Sequence, residues 1–341
     1  MNKIKKFFVH MVGGFGRWFS YINIMHKEFG VGRVFLFFDT LWVRFRYDTR
    51  FLHYRVFGFP VVRGKVRKTY LTLEENFVIN DKLNDSEHMD ILQQKPIFLQ
   101  RYKEYVKRGF IDLRECNAEE FAQFCEGKDS IFVKSLNDYG GHGVGEEPIT
   151  ADTDLGELYN KLLERKQYLI EEKIVQHEKL NELCPTSVNT IRIVTVNYKG
   201  KVHFINALMR IGDGKSCVDN ICRGGMYVGI RPDGSVTTDA FCDEICVYFQ
   251  QHPVTGVKFE GFTVPFYKEA EELCMKAAEV EPNLGYVGWD VAITPTGPVL
   301  VEGNAYPGFD MCQNYRHIGE DKHGIKPEFV RILGEDFFKT K

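Results

Sequence analysis

The stretch Gly288 to Asn304, GWDVAITPTGPVLVEGN, sets three oxygen-bearing side chains, Asp290, Glu302 and Asn304, inside two short apolar runs joined by Pro295-Thr296-Gly297. Run, turn and run predict a β-hairpin. Side chains alternate along a strand, so Glu302 and Asn304 project to one face, and a hairpin partner can bring Asp290 beside them. A carboxylate inside an apolar run must find cations, donors or a metal. Two acids and an amide oxygen are hard ligands suited to Mg²⁺. The competing reading is two solvent-facing strand acids, which is the commoner outcome for a hairpin taken alone.

A second group stands in VKSLNDYGGHGVGEE, where Lys134 ends a predicted strand and Gly140, Gly141, Gly143 and Gly145 follow. Dense glycine lets backbone N–H groups approach a phosphate closely. The lysine precedes the loop, whereas a P-loop has it just after, and the glycines do not fit the dinucleotide fingerprint. A plain flexible turn therefore stays open as the alternative. Elsewhere no Ser-His-Asp or Cys-His arrangement is legible, and His203 and His252 read as surface or core histidines. Nine cysteines without a Cys-x-x-Cys predict reduced thiols in a cytoplasmic protein and no structural zinc.

The elements that must position these groups follow from pattern. A chain of 341 residues with 44% hydrophobic content has room for two or three subdomains and is neither disordered nor fibrous. A helical stretch is predicted over 88–106, and Asn117 with Glu120 makes an N-cap for the next helix. Then come a strand in SIFVKSL, a helix in LGELYNKLLERK and a strand in YLIEEKIV. Hairpins are predicted to turn at Lys199-Gly200 and at Pro232-Asp233-Gly234, followed by a helix in YKEAEELCMKAAEVE. This order predicts an α+β body with antiparallel sheets.

Charge divides the chain. Residues 1–80 carry 14 Lys and Arg against 5 Asp and Glu, while the remainder is acidic and the whole chain has net charge −3. A basic, aromatic first segment on an acidic body points to an anionic membrane or another polyanion as its partner. The first residues lack a small-residue cleavage pattern and read as retained. VGRVFLFFDTLWVRFRY is interrupted by Arg33, Asp39 and Arg44, short of a membrane span. It reads as core helices of a small N-terminal domain, with an amphipathic surface helix as the alternative.

Lys82 in NDK, Lys134 before a glycine loop, a strand ending in Glu171-Glu172 and the late Asp-Glu-Asn hairpin form an order of parts that resembles the ATP-grasp superfamily. YLIEEKIVQH, SVNTIRIVT, VDNICRGG and VGWDVAITPTGPVLVEGNAYPGFD look like its sugar-transfer associated branch, over roughly residues 80–315. The resemblance implies an α+β ATP-grasp fold, two α+β subdomains clasping ATP, behind a mainly helical segment 1–80. Residues 81–180 would form the first subdomain with its glycine lid, and 181–341 the C-terminal subdomain with the metal site.

On the same comparison the cofactors are ATP and Mg²⁺. Lys82 and Lys134 would hold the phosphates under a lid that includes Gly140, Gly141, Gly143 and Val144. The backbone of Glu172 and Ile174 would meet the adenine with Glu171 beside it, and Glu178 would meet the ribose in competition with Gln176 and His177. Asp290, Glu302 and Asn304 would hold the metal. Arg192 would lie against the transferring phosphate, its alternative being an edge-strand salt bridge, and Arg210, Asn220 and Arg223 are candidates for the acceptor pocket.

The function implied is an ATP-dependent carboxylate–amine ligase working through an acyl phosphate on a sugar acid, amino acid or surface-polysaccharide precursor. A kinase on the same scaffold and a non-catalytic, membrane-recruiting nucleotide-binding module are the alternatives. The expected partners are a small or sugar-linked substrate and a peripheral contact with an anionic membrane or lipid-linked substrate; nucleic acid is not expected. The basic first 80 residues depart from the compact α/β domain that precedes many ATP-grasp cores, so the acceptor site stays open.

Overall fold

The computed structural model describes residues 18–47, 49–136 and 143–338, so residues 1–17 and the lid glycines Gly140 and Gly141 lie outside the described residues. The chain forms two compact units, one of Asn80–Pro307 and one of Met1–Ile79 with Gly308–Lys341.

The larger unit is α+β and contains two antiparallel sheets. The smaller sheet holds β1 (Phe110–Asp112), β2 (Ser130–Lys134), β3 (Val144–Pro148) and β4 (Leu169–Glu172), in the order β1-β4-β2-β3. Helices Ala118–Cys125 and Leu155–Glu164 close its apolar face, where Phe121, Ile131, Val133, Leu162 and Ile170 are buried together. The first of these helices starts where the sequence says it should. The Asn117 side chain accepts from the backbone N–H groups of Glu119 and Glu120, and Glu120 reaches back to the Asn117 N–H, a complete capping box.

The larger sheet holds β5 (Ile191–Tyr198), β6 (Lys201–Ile211), β7 (Met226–Gly229), β8 (Ala240–Cys242), β9 (Val247–Phe249), β10 (Tyr286–Thr294) and β11 (Gly297–Asn304). Its order is β11-β10-β5-β6-β7-β8-β9. The β5–β6 hairpin turns through Lys199 and Gly200 with φ of 54° and 76°. Two consecutive positive φ values are what a tight two-residue hairpin needs to match strand twist.

Two local expectations change. The Pro232-Asp233-Gly234 turn forms, with the Gly234 N–H donating to Arg231 O and the Arg231 N–H to Ser235 O, yet its arms part beyond that bond and make no hairpin ladder. Val236 is fully buried and exchanges backbone hydrogen bonds with Phe262 and Gly261, so burial draws the second arm away and β7 pairs with β6 and β8. The predicted helical stretch 88–106 is three short helices, Asp90–Gln93, Lys95–Arg101 and Lys103–Val106. Pro96 sits in the first turn of the second, where its missing N–H costs nothing, and the N-cap residue Gln94 is extended.

Alternation along β5, β10 and β11 separates core from site. Ile191 and Ile193 with Trp289, Val291 and Ile293 belong to the main core, along with Leu273, Cys274 and Ala277 of helix Tyr267–Val280 and with Phe98 and Tyr102. Trp289 meets Tyr102 edge-on at 5.3 Å and its indole N–H donates to Thr195 Oγ1 at 2.9 Å. Gly303 lies on this crowded face: a Cβ there would stand 2.8 Å from Leu92 and 2.9 Å from Phe98, so a larger residue between Glu302 and Asn304 would have to displace these side chains.

In the smaller unit residues 18–29 are helical, followed by helices Arg33–Tyr47 and Phe51–Val56. The buried Arg67 guanidinium holds this unit together, donating to both Asp39 carboxylate oxygens and to the carbonyls of Phe59 and Val62. Among the described residues no helix is long and apolar enough to cross a membrane.

Candidate functional site

The face of the large sheet opposite the core carries the acids. Antiparallel register sets Asp290 directly across from Glu302 on β11 and from Arg192 on β5, and Gly288 across from Asn304. Gly288 leaves room for the arginine: a Cβ there would lie 3.1 Å from Arg192 Cδ and 2.8 Å from Pro307. Arg192 grips Asp290 through Nε and through Nη2 at 2.9 Å, and Arg210 adds Nη1 at 2.7 Å. Arg210 reaches Asp219 with its other terminal nitrogen at 3.2 Å, and Asp219 accepts from the Thr190 N–H at 2.8 Å and its hydroxyl at 2.5 Å. The Arg210 Nε donor is buried and meets no acceptor among the described residues.

The two acids titrate in opposite directions. Burial alone would raise the Asp290 carboxyl, but the charges of Arg192 and Arg210 overcome it and hold the group well below the ordinary carboxylate range. Glu302 is pushed up by burial and by the negative charge of Asp290, which the two arginines only partly offset. Asn304 Nδ2 lies 3.5 Å from Asp290 Oδ2 and 3.4 Å from Glu302 Oε1, so all three predicted metal ligands share one face. Two arginines neutralise the pair incompletely, and Glu302 retains a proton more readily than a free glutamate.

A second charge cluster sits where the small sheet meets β11. Glu171 on β4 is 2% exposed and pairs with Lys134 at the end of β2 and with Arg108 Nε at 2.6 Å. Burial works against its charge, yet Arg108 and Lys134 bring its pKa down to about 2. Arg108 also donates to the carbonyls of Leu300 at 2.5 Å and Val301 at 3.2 Å, the two residues preceding Glu302. One guanidinium thus ties the two sheets together. Lys95 Nζ donates to the carbonyl of Ser135, immediately after Lys134, at 3.3 Å. Neither Arg108 nor Lys95 stands in a legible motif; a basic residue just ahead of a strand, and one just ahead of a proline helix start, were the available signals.

The other sequence-predicted residues are placed as follows. Lys82 lies in the last turn of helix Leu73–Leu83 and is exposed. Gly143, with φ 64°, accepts from the Ser135 N–H, and Val144 opens β3 opposite Lys134. The Glu172 N–H donates to Gly109 O while its carboxylate accepts from the Gly109 N–H. Ile174 is half-buried beyond β4, and Glu178 is exposed at the start of helix Glu178–Leu183. Gln176 is a structural hub, bonded on one side to Asn181 and the carbonyls of Cys184 and Ser187, and on the other to Asn189. Asn220 precedes and Arg223 ends a short 3₁₀ turn in the loop that Asp219 anchors to Arg210, and Gly225 packs so closely that a Cβ would meet Asn220 O at 2.6 Å.

The family described as sugar-transfer associated ATP-grasp matches residues 149–319, just over half of the chain. No curated protein matches. Among solved structures, the ATP-grasp ligase PsnB complexed with precursor peptide PsnA2 and AMPPNP is similar at 13% identity and TM-score 0.43, over 76% of this chain and 63% of that one. D-alanine-D-alanine ligase from Coxiella burnetii is similar at 11% identity and TM-score 0.40, over 69% and 56%. The macrocyclase MdnC bound with precursor peptide MdnA from Microcystis aeruginosa MRC follows at 16% and 0.41, over 73% and 63%. The chain spans less than two thirds of the length of each of these three.

Proposed function

Because the chain belongs to the sugar-transfer associated ATP-grasp family, and its α+β fold is the ATP-grasp fold, we propose that it is an ATP-dependent carboxylate–amine ligase. The observation that carries the reading is the pairing of Asp290 with Glu302 across the β10–β11 hairpin, with the Glu302 carboxyl shifted upward beside it. A site whose second acid is under-neutralised is short of one positive charge.

Mg²⁺ fits that shortage. Asp290, Glu302 and the Asn304 amide, once turned to present its oxygen, would hold the ion, leaving phosphate and water to complete its oxygen ligands. Among the described residues no group of three or more His, Cys, Asp or Glu forms a self-sufficient metal cage. The ion would neutralise charge on the β- and γ-phosphates.

The chain's own residues supply the remaining chemistry. Lys134 and Lys95 hold phosphate oxygens, and Glu171 keeps Lys134 in place between turnovers. Arg192 presents a planar fork to the transferring phosphoryl group. The unmatched Arg210 Nε meets the acceptor carboxylate, with Asn220 and Arg223 on the neighbouring loop. A carboxylate oxygen takes the γ-phosphoryl group and ADP leaves. The amine then attacks the acyl carbon, loses a proton and expels phosphate, so a C–N bond forms as the acyl C–O bond breaks. Sugar acids, amino acids and surface-polysaccharide precursors are the substrate classes proposed.

The test is to incubate the protein with ATP, Mg²⁺ and panels of sugar acids and amino acids in the presence of hydroxylamine. A ligase yields ADP and free phosphate together, and a hydroxamate with the true carboxylate. Phosphate retained on a hydroxyl of the product, with none released, sinks the ligase reading and makes the protein a kinase.

A further inference from the structure

Helix Arg33–Tyr47 buries Leu36, Thr40 and Val43 toward its own unit. Its opposite side exposes Val34 at 74%, Phe38 at 65%, Trp42 at 52% and Phe45 at 87%. Positions i, i+4, i+8 and i+11 form one stripe along a helix. A soluble surface seldom leaves such a row of large apolar groups in water. Arg33, Arg44 and Arg46 on the same helix are exposed beside the stripe. Among the described residues the neighbouring acids are already engaged inside the unit: Asp39 with Arg67 and the Tyr54 hydroxyl, Glu28 with Arg55. What this face offers outward is aromatic and cationic. Between helices 18–29 and 33–47 lies an apolar groove of about 250 Å³, lined by Phe19, Ile22, Val34, Phe37 and Phe38, with Arg33 at its edge.

We propose that this face docks peripherally on an anionic lipid bilayer, with Phe38, Trp42 and Phe45 entering the headgroup–acyl boundary, the arginines meeting lipid phosphates and the groove admitting part of an acyl chain. Charge complementarity selects a bilayer as occupant, since Asp39 and Glu28 are paired within the unit and residues 1–80 carry 14 basic residues against 5 acidic. An interfacial helix has this composition, an aromatic face flanked by arginine, and needs no span-length apolar run. The inference is independent of the nucleotide site.

The molecule carries its own reporter. Trp18 and Trp289 are 6% and 0% exposed, so Trp42 is the indole that a bilayer can desolvate. The full chain is mixed with vesicles of phosphatidylcholine alone or of phosphatidylcholine with phosphatidylglycerol, and flotation and tryptophan emission are followed as salt rises. Binding to the anionic vesicles, a blue shift that Trp42→Phe removes, and loss of both at high salt are expected. Phe38→Ser with Phe45→Ser should weaken binding at least about tenfold, since each loses its insertion energy, without changing the melting temperature or nucleotide turnover. Equal binding by the double variant would assign the contact to residues 1–17 and overturn the proposal. So would absence of binding at low salt, or self-association abolished by the same substitutions, which would make a second copy the occupant.

Discussion

Arg192 and Asp290 face each other directly across β5 and β10, and the guanidinium holds both oxygens of a carboxylate that is 2% exposed. Arg210 shares the same carboxylate. An ion pair this deep gives little net stability over an apolar pair, but removing one partner is costly because the other charge stays buried. On the proposed function Arg192 would turn from Asp290 to phosphate, and Asp290 would be left to help hold the metal.

Arg192→Ala is expected to lower stability by about 3 kcal/mol, the lower end of the range for breaking a buried pair because Arg210 remains. Arg192→Lys keeps the charge but loses the fork, so it should restore most of the stability and little of the turnover, which should stay roughly a hundredfold down. Chemical denaturation and steady-state ATP turnover measure the two effects separately. Equal recovery of both would make Arg192 a structural residue only.

Glu302 gives a pH prediction with a defined sign. Its pKa is raised in the folded, metal-free protein. A raised carboxyl contributes stability that is fully present below its unfolded pKa and is lost as pH rises through the folded value. Glu302→Gln should therefore match the parent in acid and exceed it in melting temperature at neutral pH when metal is chelated. Mg²⁺ should stabilise the parent increasingly as pH rises, because binding must release the Glu302 proton, and should not stabilise the variant. Asp290 behaves in the opposite sense: its lowered pKa contributes stability above the unfolded value that is lost as pH falls through the folded one.

Lys95 and Lys82 separate what motif order suggests from what the fold places. Lys95 reaches the Ser135 carbonyl at the mouth of the glycine loop, whereas Lys82 is exposed on a helix. Lys95→Ala is expected to raise KM for ATP about tenfold or more through a lost phosphate contact. Lys82→Ala is expected to change it less than about twofold. Reversed values would return the phosphate role to Lys82.

The site hairpin was legible in the sequence because a period of two fixes which side chains share a face once the turn is located. Asp290, Glu302 and Asn304 are adjacent for that reason alone. The partners of Asp290 were less accessible. Arg192 could be placed on a neighbouring strand, but the position of β5 between β10 and β6 depends on long-range pairing that local pattern does not encode. Arg108 was invisible: its acceptors, Glu171 and the carbonyls of Leu300 and Val301, lie 63 to 193 residues away, and two of the three are backbone atoms. The failed hairpin after Gly234 has a related cause, since Val236 obeys the core and not its turn.

Arg108 carries the last prediction. It and Lys134 hold Glu171 jointly. If Lys134 meets nucleotide phosphate as proposed, Glu171 competes for it, and Arg108 weakens that competition by taking part of the carboxylate's charge. Arg108→Ala leaves Lys134 as the main partner of a buried carboxylate. ATP should then bind more weakly, with KM up by about tenfold, and stability should fall because the Leu300 and Val301 carbonyls lose their donor. Adding Glu171→Gln removes the competing charge. If the competition is real, the double variant recovers much of the ATP affinity while its stability does not return to that of the parent, a non-additive cycle in KM. If Arg108 only braces the two sheets, the second substitution leaves KM where the first put it. Steady-state ATP titrations and melting curves on the three variants and the parent distinguish these outcomes.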